Sequence, residues 1–280
     1  MRNAVSSIRP IARLSSPAAR RAFATSRPHL AAAAATATAP SHAQSNSPGE
    51  TAPLNPRWLS ELQTRIKRCA SLGLQGTQKA ELEAVQKAVD GRWLELLAGR
   101  EGFLTGPGWR GLDRHTVTWG DQVRHVNNVV YNKYAESARF NWLSNFATTI
   151  DPEHADEWNA FMTPKDVGLI MRSIKTDYKF PMAYPDNVTV LHKLTSKPDH
   201  GSDYILLEAL LISHRFRRPA ARCFEDIVVY DYKTAKRTAL KPYMVDKLRE
   251  TYDAQDRCRA ETEERVRELV GVVDRLERTA

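Results

Sequence analysis

Only three cysteines occur in 280 residues, Cys69, Cys223 and Cys258. They are far apart and odd in number, so they make neither a metal-ligand spacing nor a disulfide framework, a usage that suits a reducing compartment. No run approaches the roughly 18 consecutive apolar residues of a membrane helix, so no membrane span is expected. There is no glycine-rich phosphate loop and no Gly-x-Ser-x-Gly elbow, which argues against nucleotide hydrolysis and serine-esterase chemistry. His192 and His214 have no Cys or carboxylate at ligand spacing, so no metal site and no cofactor is expected. Residues 1–49 lack carboxylates and lysine altogether, and Glu50 is the first acid.

That last absence has a positive counterpart. The same 49 residues carry six arginines, Arg2, Arg9, Arg13, Arg20, Arg21 and Arg27, among Ala, Ser, Thr and Pro. Arg-rich, Ser-rich, acid-free composition is that of a mitochondrial transit peptide. A basic segment is drawn toward the negative side of a membrane potential. The piece RRAFATS places Arg21 two residues before Phe23, as at a presequence cleavage site. Cutting there would lower the formal charge from +8 to +3 by removing five arginines. The remainder is only mildly basic, so charge does not point to a nucleic-acid partner.

The expected layout is therefore a transit peptide at 1–23, a low-complexity linker at 24–55, a helical extension at 56–100, a mixed domain at 108–240 and a long helix at 241–280. In the extension, Leu59, Leu62, Ile66, Cys69 and Leu72, then Leu82, Val85, Val89, Trp93 and Leu96, recur at helical spacing. They predict helices over 58–72 and 77–98. The middle third is β-rich at 113–119, 167–180, 187–195, 203–215 and 222–231. At 204–212 apolar residues occupy both alternating faces, which predicts a central strand. One helix, 128–147, carries the stripe Tyr131, Tyr134, Ala135, Ala138, Trp142 and Phe146. The class is α+β, an antiparallel sheet wrapped around a helix.

The tail repeats at three and four: Val245, Leu248, Tyr252, Gln255, Arg259, Thr262, Val266, Leu269, Val273, Leu276. This is a heptad pattern, interrupted by three consecutive polar positions. Such a seam makes a poor autonomous coiled coil and favours packing on its own domain over pairing with a protein partner through 242–280.

Between the first strand and the helix stands WGDQVRHVNNVVYNKYAESARFNWL. It crowds Asp121, His125, Asn127 and Asn128 at a helix mouth. A helix start offers unpaired N–H groups and a positive dipole end, which stabilise developing negative charge. An aspartate upstream is a candidate base or nucleophile, His125 can orient it or a water, and Asn127 and Asn128 are cap residues that can fix the turn. Asp121 in an Asx-turn and the asparagines as plain caps are the structural alternatives. Glu136 and Arg139, three apart on the helix, are expected to pair with each other. Arg215, Arg217, Arg218 and Arg222 form a basic cluster that can receive phosphates or simply make a solvated turn.

The order Asp121, His125-Val126-Asn127-Asn128, Tyr131, Tyr134, Glu136-x-Ala138-Arg139 resembles the 4-hydroxybenzoyl-CoA thioesterase-like family of hotdog-fold acyl-CoA thioesterases, over about 110–240. The resemblance implies a hotdog domain, paired as a homodimer or homotetramer with sites at subunit interfaces. It implies a coenzyme A or acyl-carrier thioester as substrate. Asp121 would be the carboxylate that attacks the thioester or activates water, with His125 beside it. Asn127, Asn128, Tyr131, Arg215, Arg217 and Arg218 would contact substrate. Family members carry Asp-x-Asp followed by Gly before the His, whereas this chain has one Asp and Arg124. Counting back from His125, Asp121 falls at the catalytic place; counting forward from Trp119, it matches the other aspartate. The alternative function is therefore a catalytically inactive hotdog serving as scaffold or subunit of a mitochondrial assembly.

Overall fold

The computed structural model describes residues 57–117 and 125–279. The order is α1 (Trp58–Ser71), α2 (Gly76–Gly99), β1 (Arg110–Thr116), α3 (Asn128–Asn145), α4 (Ala155–Phe161), β2 (Val167–Tyr178), β3 (Asn187–Leu194), β4 (Tyr204–Ser213), β5 (Arg218–Asp231), the short β6 (Lys236–Arg237) and α5 (Pro242–Thr279). The five long strands pair antiparallel in the order β1-β3-β4-β5-β2, and β6 pairs with β5. The strand apolar on both faces, β4, is indeed central. The sheet curls around α3, which is the hotdog arrangement.

Each central strand has two buried faces because each face meets a helical layer. Toward α3 point Val190, Ala209, Leu211 and Cys223 at one end, packed on Tyr131, Tyr134, Ala135 and Ala138. At the other end Leu194, Leu207 and Ile227 pack on Trp142 and Phe146. The fit is closest at β1. A Cβ on Gly111 would lie 2.3 Å from the Ala138 carbonyl oxygen, so only glycine lets strand and helix backbones approach this far. Asn141 Nδ2 donates to the Gly111 carbonyl at 2.6 Å across that contact.

The opposite face carries Leu191, Leu210 and Ile212, fully buried beneath α1, α2 and the second half of α5. Burying each such side chain contributes about 1.5–3 kcal/mol. Val266, Leu269, Val273 and Leu276 of α5 join Leu59, Leu62, Ile66, Val85 and Val89 in that core. Arg65 bonds Glu277 at 2.6 Å and also reaches Asp274, tying α1 to α5.

The polar break in the α5 repeat has a structural reason. Gln255 is buried, and its amide accepts from the Leu194 N–H at 2.9 Å and donates to the Leu194 carbonyl at 3.0 Å. It serves the end of β3 as a neighbouring strand would. Nearby, Thr262 sits against Gly99, where a Cβ would come within 2.7 Å of its hydroxyl. The polar stretch is where α5 leaves the sheet and crosses onto α2.

Candidate functional site at the mouth of the central helix

The chain enters α3 through His125 and Val126. The Val126 N–H donates to the Met182 carbonyl at 2.8 Å, and the exposed His125 ring lies with Nδ1 3.1 Å from the Val126 carbonyl. Asn127 is extended at φ −62°, ψ 144°, and its Oδ1 accepts the Val129 N–H at 3.0 Å. It is the N-cap, and it satisfies one of the helix's orphan donors. Asn128 is the exposed first helical residue; its carbonyl accepts from the Tyr178 hydroxyl at 3.2 Å, which ties the helix mouth to the end of β2. Val129 beside it is 72% exposed, so the mouth presents an apolar side chain to its surroundings. Asp121 lies outside the described residues.

Tyr131 is placed differently from its asparagine neighbours. Its ring is buried, and its hydroxyl accepts the Met182 N–H at 2.8 Å. Burial pushes the phenol pKa up. Tyr131 braces the loop before β3 from beneath the mouth.

The expected Glu136–Arg139 pair is not formed. Arg139 Nη1 instead bonds Glu225 Oε1 at 2.7 Å, and His192 Nε2 stands 3.5 Å from Glu225 Oε2. Glu225 and His192 are fully buried side chains between the two apolar ends of the inner face. Burial opposes the charge on Glu225, but His192 and Arg139 outweigh it and hold the carboxyl below its ordinary range. The signal available in the sequence was a lone acid on the buried alternation of β5, flanked by Cys223 and Ile227. Cys223, beside Thr176 and Asn132, has its thiol pushed up to about 11, chiefly by burial. It is no thiolate nucleophile at neutral pH.

The four arginines separate as well. Arg222 leaves the basic cluster: it bonds Glu208 at 2.5 Å and Glu101 at 2.6 Å. Lys193 completes this group on the outer face, 3.2 Å from Glu208. Arg215, Arg217 and Arg218 stay together around the hairpin from β4 to β5. Asp186 pins that hairpin, accepting from Ser213 Oγ at 2.5 Å and from the Arg215 N–H at 2.9 Å. Arg218 lies 4.4 Å over the Phe180 ring, and Phe180 meets Phe216 edge-on at 5.3 Å. The hairpin tip is thus one aromatic contact from the loop that Tyr131 and Val126 hold at the helix mouth.

A family model described as the thioesterase-like superfamily matches residues 116–248, just under half of the chain. The matched stretch is similar to that superfamily, and it holds α3 and every strand of the hotdog sheet except β1. Among solved structures, the hotdog domain is similar to a Staphylococcus aureus protein in complex with CoA. That match has 15% identity and TM-score 0.41, and covers 50% of this chain and 82% of that one. A Thermus thermophilus thioesterase complexed with coenzyme A and Zn matches at 18% identity and TM-score 0.40, over 52% and 97%. A 1,4-dihydroxy-2-naphthoyl-CoA thioesterase from Synechocystis matches at 14% identity and TM-score 0.38, over 49% and 91%. No curated protein matches. The helices α1 and α2, and α5 beyond residue 248, stand outside the matched part of the hotdog domain.

Proposed function

We propose that this protein hydrolyses an acyl thioester of coenzyme A or of an acyl carrier. The observation that carries the reading is the thioesterase-like match over 116–248, whose His-Val-Asn-Asn motif stands at the start of α3, capped by Asn127. In this reading Asp121 supplies the carboxylate. It attacks the thioester carbonyl carbon, or takes a proton from a water that attacks it. The carbonyl oxygen gains negative charge and is held by the N–H groups and dipole at the helix start. Collapse breaks the C–S bond. Where Asp121 has taken the water's proton, it passes that proton to the leaving thiolate and the free acid forms directly. Where Asp121 has attacked, the acyl group stays on it as an anhydride that a water then cleaves, giving the free acid, the carboxylate and the proton that the thiolate takes up. His125 orients the carboxylate or the water, while Asn127 fixes the mouth.

The pairing of two copies along β2, an outer strand of the sheet among the described residues, belongs to the same reading, as does delivery to the mitochondrial matrix by residues 1–23. The scaffold alternative draws on the helices outside the matched domain. Against it, the apolar stripe of α5 is spent on α1, α2 and the sheet of its own chain. The full chain should release thiol from a panel of acyl-CoAs, and Asp121→Asn should reduce kcat by at least about 100-fold. Thiol release equal to wild type in that variant removes Asp121 from the mechanism. Absent thiol release together with a stoichiometric complex from mitochondria favours the scaffold.

A further inference from the structure

A groove of about 330 Å³ runs between the helical extension and the β4–β5 hairpin tip. That is within the range of small-ligand sites, roughly 300–1,000 Å³. Ile66 of α1 and Val89 of α2 are in its lining, and both are buried in the outer core. Its polar wall brings together Lys67 from α1, Asp90 from α2, and Arg215, Phe216 and Arg217 from the hairpin. Three cations face one carboxylate. That carboxylate is already engaged, because Arg217 Nη1 bonds Asp90 at 2.6 Å. Neither Lys67 nor Arg215 has a carboxylate partner among the described residues. Arg222, five residues beyond Arg217, is by contrast held by two acids. Phe216 is 51% exposed and lies 5.4 Å beneath the Arg215 guanidinium, an aromatic face beside unneutralised positive charge. The hairpin also keeps Arg217 at φ +48°, a left-handed backbone that favours glycine.

The geometry points to a binding site for the phosphate-bearing nucleotide end of a ligand, built jointly by α1, α2 and the hairpin. Lys67 and Arg215 hold the phosphate oxygens, and the half-exposed Phe216 ring receives the planar base on the side that Arg215 does not cover. Gln63 supplies an amide at the rim. Phosphate favours such a wall because charge-assisted N–H···O bonds to it are roughly twice as strong as neutral ones. A concave groove of this volume suits a nucleotide better than the convex face of an acidic protein. The nucleotide can be the substrate's own coenzyme A moiety, an assignment that rests on the thioesterase reading, or a free effector. The binding itself rests only on the groove.

Titration of the full chain with adenosine 3′,5′-bisphosphate tests it, with pantetheine, which has no phosphate, as control. Wild type should bind the bisphosphate. Lys67→Gln/Arg215→Gln, both changed at the groove rim, should bind it at least roughly tenfold more weakly, with pantetheine binding and thermal midpoint unchanged. Competitive inhibition of acyl-CoA hydrolysis by the bisphosphate assigns the site to the substrate's nucleotide, and non-competitive inhibition assigns it to an effector. Absence of bisphosphate binding by wild type, or equal binding by the double variant, overturns the site. A chain that binds the bisphosphate and releases no thiol keeps the site and removes the hydrolase.

Discussion

The two faces of the sheet are both apolar and both crossed by ionic groups, yet they use charge in opposite ways. On the inner face Arg139, Glu225 and His192 are shut between Tyr131 and Trp142, with Glu225 wholly out of solvent. On the outer face Lys193, Glu208, Arg222 and Glu101 hold the helical layer to the sheet while keeping some contact with water. A buried charge without its partner is worse than no charge, whereas a partly solvated one loses little. The inner cluster therefore penalises any packing of sheet on helix that would separate Arg139 from Glu225. The outer one fastens an added layer whose main attraction is apolar.

Breaking the inner cluster should have the largest effect. Glu225→Gln leaves the Arg139 guanidinium, 12% exposed, without its counter-charge. A loss of about 3–5 kcal/mol is expected in chemical denaturation. The same residue gives a pH signature. Its folded pKa lies below its ordinary value of 4.5, so its contribution is fully present above that value. The contribution is lost as pH falls through the lower, folded value, and the variant should lack that part of the acid slope. A variant as stable as wild type would make the cluster a bystander.

Next comes the junction between the faces. Gln255→Ala strips the partners from both the N–H and the carbonyl of Leu194. About 2–3 kcal/mol should be lost, with faster exchange of the Leu194 amide. Unchanged exchange would show that α5 holds β3 by apolar contact alone. The smallest effect belongs to the outer face. Glu101→Gln removes one of the two acids on Arg222, but Glu101 is 34% exposed. About 0.5–1 kcal/mol is expected, diminishing in high salt. A loss as large as that of Glu225→Gln would erase the contrast between the faces.

Much of this architecture was legible in the residues. The doubly apolar alternation of 204–212 marked β4 as central, and Tyr131 through Phe146 marked the enclosed helix, because side-chain direction alternates with a fixed local period. Arg139 shows where local reading fails. Spacing on a helix offered Glu136, three residues away, but the helix is pressed on the sheet at Arg139 and the nearest acid is Glu225. The polar gap in the α5 repeat was visible as a gap, while its use by Gln255 against Leu194 was not. At the candidate site, the cap by Asn127 followed from residue type. The use of the Tyr131 hydroxyl to hold the Met182 N–H and the separation of Arg222 from its neighbours did not.

Sequence alone determined which faces are apolar, where the long helices and strands run, and which motif stands at the helix mouth, since each follows from periodicities of a few residues; the seven-residue α4 is too short to show such a period and was not expected. Tertiary structure decided which charges meet. Arg139 and Glu225 are 86 residues apart, and Lys67 and Arg215 reach one groove from two separate layers. Electrostatic energy depends on distance through space and on exclusion of water, and neither is written in the order of the chain.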